Sequence, residues 1–279
     1  MTIVFAVANQ KGGVGKTTTS VNLAASLGLM NREVLLIDLD PQGNATIGSG
    51  MEKKELPHSI YDVLIGEKSA EESLVKAEAA GYDVLGSNSD LIGAEIELLD
   101  LDRREYRLKD ALLGFGGKYD FIVLDCPPAL GVLTLNGLVA SDSVIIPMQC
   151  EYYALEGLTA LLDTIDRISS SLNPKLKVEG LLRTMYDPRN SLSRDVSLHL
   201  IDHFGDAVYR TIVPKNVRLA EAPSYGVPVH FYDKYSRGSK AYLALAGEVL
   251  NRHPEAADKG GENGDYKKRS WKRAGCVIA

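Results

Sequence analysis

The chain has 279 residues, of which 45% are hydrophobic and 24% charged, and its formal net charge is −6. This composition is typical of a globular protein, and no apolar run reaches the roughly 18 residues that a membrane span requires. The negative charge argues against nucleic-acid binding through overall charge, so any such contact needs a local basic patch. The apolar run at residues 3–8 lacks a basic start, which argues against a signal peptide and favours a cytosolic location.

Apolar runs and helical patterns alternate along the chain. Short apolar runs predict strands at residues 3–8, 34–37, 82–85, 121–124, 144–147 and 178–182. Helical patterns lie between and after them, at residues 17–30, 90–113, 155–172, 192–204 and 238–250. Continuous apolar strands separated by helices predict an α/β fold, with a mostly parallel twisted sheet covered by helices on both faces.

The composition changes near residue 251. Residues 251–279 carry seven Lys or Arg and four Asp or Glu, and they show no apolar periodicity. We therefore expect one domain over residues 1–250 and a flexible basic tail over residues 251–279.

A glycine-rich loop follows the first predicted strand. Residues 10–18 read Gln-Lys-Gly-Gly-Val-Gly-Lys-Thr-Thr, which matches the Gly-Lys-Thr end of a P-loop but begins with Gln10 in place of glycine. Such a loop turns its backbone N–H groups toward phosphate oxygens, and the next helix presents its positive end to the same anion. The pattern predicts an ATP site in which Lys16 neutralises phosphate charge and the Thr17 hydroxyl binds Mg²⁺. The nucleotide contacts are expected from Lys11, Gly12, Gly13, Val14, Gly15, Lys16, Thr17 and Thr18.

Carboxylates stand at the ends of two predicted strands. Asp38 and Asp40 lie in Asp-Leu-Asp-Pro-Gln-Gly-Asn, and Asp125 ends Phe-Ile-Val-Leu-Asp. Ligands of open α/β sheets bind at the carboxyl ends of the strands. Asp125 is therefore predicted to hold Mg²⁺ through water, as in a Walker B strand, and Asp38 to support either the waters of the magnesium or the loop. The alternative for the first segment is a Pro-Gly turn with solvated carboxylates.

Four segments together resemble the ParA/Soj branch of the deviant Walker P-loop ATPases, which partition chromosomes and plasmids. They are NQKGGVGKTTT at residues 9–19, LIDLDPQGN at 36–44, IVLDCPP at 122–128 and PKNVRLAEAPSYGVP at 214–228. The resemblance covers about residues 1–250 in the expected order. The early position of the phosphate loop is similar to that of the short, Soj-like members.

The resemblance implies a slow, Mg²⁺-dependent ATPase that works as a homodimer. In that family, the lysine that matches Lys11 reaches the ATP of the partner subunit, so that two nucleotides are sandwiched between two chains. The position of Asp40 orients or activates the attacking water, which makes Lys11, Lys16 and Asp40 the expected catalytic residues. Pro214 and Asn216 are implied near the adenine base, and an ordinary strand-to-loop turn is the alternative there.

The resemblance also implies that the ATP-bound dimer binds double-stranded DNA without reading its sequence. Residues 183–218 hold six basic residues and four aspartates, a run that is usually a solvated face. Arg189 and Arg218 are the expected DNA contacts, with Lys234 and Arg237 as further candidates. A ParB-like partner would trigger hydrolysis and release, the protein would associate with the nucleoid in the cytoplasm, and no stable membrane anchor is expected.

Three other functions stay open at this point. A membrane-surface switch similar to MinD needs a carboxyl-terminal amphipathic helix, and the basic segment 266–273 with Trp271 could bind membrane, DNA or neither. A carrier similar to the nitrogenase iron protein needs cysteines that bridge a dimer, whereas Cys126, Cys150 and Cys276 form no convincing pair. A transcriptional regulator would use the same dimer on DNA. His199 and His203 have metal-ligand spacing without a third ligand, and a prenylation pattern at Cys276 is discounted.

Overall fold

The computed structural model describes residues 1–152 and 154–257. Their strands form one eight-stranded sheet in the order β3-β4-β2-β5-β1-β6-β7-β8. The strands are β1 (Ile3–Val7), β2 (Val34–Asp38), β3 (Leu74–Ala77), β4 (Tyr82–Leu85), β5 (Phe121–Asp125), β6 (Ser143–Gln149), β7 (Lys177–Tyr186) and β8 (Val208–Pro214). All neighbouring strands are parallel except β3, which pairs antiparallel with β4. The mostly parallel α/β sheet expected from the sequence is confirmed.

Helices cover both faces of this sheet. The described helices are α1 (Lys16–Gly28), α2 (Asn44–Gly48), α3 (Ile60–Ile65), α4 (Leu91–Glu97), α5 (Arg107–Leu112), α6 (Val132–Ala140), α7 (Ala154–Ser171), α8 (Ser191–Phe204), α9 (Val217–Glu221), α10 (Val229–Tyr232), α11 (Arg237–Arg252) and α12 (Pro254–Ala257). Helices α1 and α11 pack on one face of the sheet and form a core with it. Helices α3, α4, α5, α6, α7 and α8 contribute to the core on the other face. In the part of the chain that is described, no helix is both long and apolar enough to cross a membrane.

Central strands and edge strands differ in how well the sequence predicts them. All five residues of β2 and of β5 are buried, which explains their uninterrupted apolar runs. The edge strands β3 and β8 were not predicted, because edge positions tolerate polar residues such as Lys76 and Arg210. The N–H groups of Arg210 and Thr211 both donate to the carboxylate of Glu248, at 2.8 and 2.9 Å, so α11 covers part of the outer edge of β8.

The single helix predicted over residues 90–113 is wrong. Helix α4 ends at Glu97, and the chain becomes extended at Leu101 and left-handed at Arg103, with φ of 54°. A second helix, α5, then begins at Arg107. Apolar side chains on either side of the break, among them Leu98 and Leu108, enter the same core.

The carboxyl-terminal boundary also differs from the expectation. Helix α11 runs to Arg252, and Ala256 in α12 is buried against the core, so the folded part extends past residue 250. The basic segment 266–273, Trp271 and Cys276 lie outside the described residues.

Candidate functional site

The sheet brings the glycine-rich loop and two carboxylates to one edge. Strand β1, which leads into the loop, lies between β5 and β6. Asp125 is in register with Val7 on β1 and with Asp38 on β2, so the ends of three neighbouring strands meet below the loop. Because the strands are parallel, residues far apart in sequence converge at their carboxyl ends, where ligands of such sheets bind.

The loop has the backbone that its glycines predict. Gly13 and Gly15 have φ of +73° and +92°, values that side-chain-bearing residues rarely adopt. Gly15 is the residue before α1, so the loop leads straight into the amino terminus of a helix. An added Cβ at Gly12 or Gly13 would meet no atom within 4 Å, which leaves the outer side of the loop open to an anion.

Lys16 folds back over this loop. Its ammonium donates to the carbonyl oxygen of Lys11 at 3.3 Å, and the residue is only 7% exposed. Burial lowers the pKa of Lys16, while the carboxylates of Asp125 and Asp40 act in the opposite direction. Among the described residues this carbonyl is the one hydrogen-bond partner of the Lys16 ammonium, and a buried cation in such surroundings is suited to an incoming phosphate.

Asp125 has one satisfied oxygen and one unsatisfied oxygen. Its Oδ1 accepts a hydrogen bond from Ser20 Oγ at 2.8 Å, whereas Oδ2 is buried and has no hydrogen-bond partner among the described residues. Burial and then the nearby Asp38 raise the pKa of Asp125, and the hydroxyls of Thr17 and Ser20 oppose the rise. Since a buried unpartnered carboxylate oxygen is costly, this position fits a cation or its water, and Thr17 and Asp125 are the residues that would hold Mg²⁺.

Asp38 and Asp40 have different surroundings. Asp38 is fully buried; its Oδ2 accepts hydrogen bonds from the N–H and the hydroxyl of Thr46, both at 2.8 Å, and its Oδ1 accepts from the N–H of Asp40 at 3.1 Å. Of the two roles open to Asp38, these contacts favour support of the loop. Asp40 is only partly buried, and its Oδ1 accepts from the N–H of Gln42 at 2.9 Å. No hydrogen bond within the described part of the chain ties the other oxygen of Asp40 to this turn.

Residues at the ends of β6 and β7 bracket the loop, and the sequence analysis missed them. Thr184 Oγ1 donates to the carbonyl of Val14 at 2.7 Å, and Gln149 Nε2 donates to that of Gly13 at 3.2 Å. Glu151, just after β6, accepts from the ammonium of Lys11 at 2.5 Å. Their only sequence signal is their position at the ends of predicted strands, since no motif marks them.

Pro214 and Asn216 lie at the end of β8. Pro214 pairs with Tyr186 on β7, two residues beyond Thr184, so this segment reaches the same edge as the loop. The Oδ1 atom of Asn216 is buried and has no hydrogen-bond partner among the described residues. A separate cavity of about 250 Å³ lies beside α1. It is lined by Thr17, Thr18, Val21, Asn22, Asn44, Ile47, Gly48, Ala222, Pro223 and Val227.

The expected DNA contacts are exposed, and they fall into two groups. Arg189 precedes α8 and forms an ion pair with Asp187 at 2.8 Å, with its side chain 88% exposed. Arg218 pairs with Glu221 at 2.7 Å and lies 3.5 Å from Asp233. Lys234 follows Asp233 directly, so it belongs with Arg218.

Arg237 belongs to this second group because it precedes Gly238, whose added Cβ would lie 2.5 Å from Leu219 Cγ, next to Arg218 in the chain. Arg183, by contrast, is 5% exposed and donates to Ser197 Oγ and to the carbonyl of Tyr209, both at 2.8 Å, which removes it from any surface contact. The described residues include no cluster of three His, Cys, Asp or Glu that could hold a metal, so His199 and His203 remain without a third ligand.

Known proteins resemble this chain over most of its length. A family model described as an AAA domain matches residues 2–178. The chain is 50% identical over 258 residues to the chromosome partitioning protein ParA of Caulobacter vibrioides, covering 92% of this chain and 97% of the relative. It is also 50% identical over 246 residues to the sporulation initiation inhibitor protein Soj of Bacillus subtilis, covering 88% and 97%.

Solved structures share the fold. A structure named cobyrinic acid a,c-diamide synthase from Mycobacterium smegmatis, with bound ADP and magnesium, has a TM-score of 0.80 and 42% identity, covering 93% of this chain and 98% of that one. The sheet order, the loop between β1 and α1 and the carboxylate at the end of β5 are those of a P-loop NTPase. With two partitioning relatives at 50% identity, the chain belongs to the ParA/Soj family of partitioning ATPases.

Proposed function

We propose that this chain binds ATP with Mg²⁺ at residues 11–18, hydrolyses it, and uses the cycle to segregate a chromosome or a plasmid. The observation that carries the proposal is the buried, unpartnered Oδ2 of Asp125 below the phosphate loop. A carboxylate in that position is costly unless a cation or its water approaches it, and a phosphate-binding loop lies directly above. The partitioning relatives supply the biological role.

Each residue of the site has a defined task in this proposal. The N–H groups of the loop and the ammonium of Lys16 bind the phosphates, with Lys16 leaving the carbonyl of Lys11 to do so. Thr17 and Asp125 hold the magnesium ion, which when bound neutralises charge on the phosphate oxygens. Asp40 orients the attacking water from the turn that Asp38 and Thr46 stabilise. Pro214 and Asn216 approach the adenine.

The proposed active unit is a homodimer formed in the presence of ATP. Lys11 of each subunit would contact the nucleotide of the other and stabilise the charge that develops on its γ-phosphate, as an arginine finger does. Dimerisation would also place two copies of the basic group around Arg218 on one surface, so that two weak contacts with DNA become one stronger contact. Arg189, Lys234 and Arg237 are the further proposed contacts.

The proposed DNA contact is with phosphates alone, which position a protein on DNA without reading its sequence. Arg189 and Arg218 would exchange their acidic partners, Asp187 and Glu221, for phosphate oxygens. A ParB-like protein is the proposed partner that stimulates hydrolysis and returns the dimer to monomers. This cycle would keep the protein in the cytoplasm, on the nucleoid, while ATP is bound.

The test compares DNA binding in ATP, in ADP and without nucleotide. We expect binding to random duplex DNA only with ATP, and a steep fall in affinity with rising salt. Asp40→Ala should remain on DNA with ATP because it cannot hydrolyse the nucleotide, and Lys11→Ala should stay monomeric. Lys76→Ala, which removes an exposed basic residue of β3 outside both proposed DNA-binding groups, is the control and should change neither DNA binding nor dimerisation. An ATP-bound dimer with no affinity for random DNA would refute the proposal.

Amide synthesis is a second candidate, because the similar structure from Mycobacterium smegmatis bears the name of a diamide synthase. If the nitrogen came from glutamine, this chemistry would require a thiolate nucleophile. Burial raises the pKa of Cys150 to about 11, and Cys126 is likewise buried with a raised pKa, so neither thiol is suited to that role. Incubation with cobyrinic acid, glutamine and ATP tests this candidate directly.

The membrane-surface alternative is tested by flotation with anionic vesicles, with and without residues 258–279.

A further inference from the structure

We infer that Glu151 holds Lys11 on its own subunit and thereby sets the threshold for ATP-dependent dimerisation. This inference rests on the proposed function, in which Lys11 must reach the nucleotide of the partner. The ammonium of Lys11 lies 2.5 Å from Glu151 Oε2. In the proposed dimer Lys11 reaches across to the nucleotide of the partner, so we expect dimerisation to break two such ion pairs, one in each subunit.

A second contact links this ion pair to the nucleotide. The backbone N–H of Lys11 donates to Asn9 Oδ1 at 2.9 Å, and its carbonyl accepts from the ammonium of Lys16 at 3.3 Å. When phosphates bind, Lys16 turns toward them and releases the carbonyl of Lys11. ATP thus removes one of the contacts that fix Lys11, and the ion pair with Glu151 becomes the main remaining restraint on its side chain.

The strength of the restraint suits a reversible switch. The side chains of Lys11 and Glu151 are 44% and 54% exposed, and ion pairs at such exposed positions stabilise by a factor of about two to five at most. Glu151 also lies just before α7, whose first N–H groups favour a carboxylate after the lysine has left. Glu151 is therefore a positioning residue, which acts through Lys11 and is not required for the fold.

The main test is Glu151→Gln, which keeps the shape of the side chain and removes its charge. Because each dimer breaks two ion pairs, a two- to fivefold effect per subunit should tighten the ATP-dependent dimer by about four- to 25-fold. Sedimentation with ATP in the Asp40→Ala background measures this without hydrolysis. Glu78→Gln is the matched control, since it removes the same charge from an exposed position on the β3–β4 connection. A dimer that is unchanged or weaker in Glu151→Gln would overturn the inference.

Two further measurements separate a specific effect from general electrostatics. If Glu151 acts through Lys11, then Glu151→Gln should leave the ATP affinity of the monomeric Lys11→Ala variant unchanged, whereas a general effect of charge would tighten it. Acylation of the Lys11 amine in the nucleotide-free monomer should be about two- to fivefold faster in Glu151→Gln, with exposed Lys54 as the internal reference. If the wild-type protein never dimerises with ATP, the proposed function is refuted in respect of the dimer. Equal acylation rates of Lys11 in the wild type and in Glu151→Gln would separately refute the ion pair between Lys11 and Glu151.

Discussion

Asp38 and Asp125 lie side by side at the carboxyl ends of neighbouring parallel strands, in register with each other, and both are fully buried. Burial raises the pKa of each carboxyl group, and for Asp125 the proximity of Asp38 adds to the rise. Two carboxylates in one buried place destabilise the ligand-free fold when both are ionised. The same arrangement provides negative charge where a divalent cation would bind. The two carboxylates therefore lower the stability of the ligand-free protein and raise its affinity for the cation.

Replacement of Asp125 by Asn should therefore stabilise the ligand-free protein while abolishing its stabilisation by Mg²⁺ and ATP. A raised pKa in the folded state penalises folding at any pH at which the carboxyl group would be ionised in the unfolded chain. The penalty is absent below the ordinary value of 3.8 and grows as the pH rises to about 8. We expect Asp125→Asn to raise the free energy of unfolding by about 1–3 kcal/mol at pH 8 and by little at pH 5. Urea denaturation at both pH values measures this, with exposed Asp102→Asn as control. A variant less stable than the wild type at pH 8 would contradict the argument.

Thr184→Val tests whether the hydrogen bond from the end of β7 to the phosphate loop supports nucleotide binding. The replacement keeps the volume of the side chain but removes the donor to the carbonyl of Val14, which lies in a buried part of the loop. An unpaired buried carbonyl costs about 1–3 kcal/mol, and part of that cost should appear as weaker nucleotide binding because the loop loses an anchor. Calorimetric titration with ATP and thermal unfolding measure the two parts. Thr159→Val, on the exposed side of α7, is the control and should change neither quantity. Equal affinities for ATP in the wild type and in Thr184→Val would show that this hydrogen bond does not support nucleotide binding.

Glu248→Ala tests how the edge strand β8 is covered. The variant removes the carboxylate that accepts hydrogen bonds from the N–H groups of Arg210 and Thr211. We expect a loss of about 1–3 kcal/mol in the free energy of unfolding, since charge-assisted hydrogen bonds exceed neutral ones in strength. An open strand edge also invites pairing between chains, so aggregation on heating should rise. Glu255→Ala, at an exposed position, is the control. If Glu248→Ala lowers the free energy of unfolding no more than Glu255→Ala does, the proposed role of Glu248 is excluded.

Gly28→Ala and Gly157→Ala form a matched pair. Both glycines are in helices, but an added Cβ at Gly28 would stand 2.8 Å from the carbonyl oxygen of Gly81, whereas one at Gly157 would meet nothing within 4 Å. Gly28→Ala should destabilise the protein by about 1–3 kcal/mol because α1 must move away from the β3–β4 turn. Gly157→Ala should stabilise it by up to about 1 kcal/mol through helix propensity. Denaturant titration of both variants measures the difference, and stabilisation by Gly28→Ala would show that the contact is loose.

The sequence predicted the central part of the fold better than its edges. Strands β1, β2 and β5 lie at the centre of the sheet, so they are apolar up to the terminal aspartates of β2 and β5 and their limits are clear. The pattern of residues 90–113 led to the wrong prediction of one helix. Two helices separated by a left-handed Arg103 contribute to the same core, and their apolar residues have a spacing close to that of a single helix. Strand β8 escaped notice because an edge strand tolerates polar residues such as Arg210 and Thr211. The backbone N–H groups of these two residues donate to Glu248, which lies 38 positions from Arg210.

By itself, the sequence determined the phosphate loop, the two strand-end carboxylates and the family to which they belong. These features are local, since glycines and their neighbours in the chain decide the course of the backbone. Only the tertiary structure decided that Asp38 accepts hydrogen bonds from Thr46, that Asp125 Oδ2 has no hydrogen-bond partner among the described residues, and that Glu151 and Thr184 contact the loop. The contacts of Glu151 and Thr184 join the ends of β6 and β7 to a loop more than 100 residues earlier, and their partners are fixed by the order in which parallel strands pack rather than by any spacing along the chain.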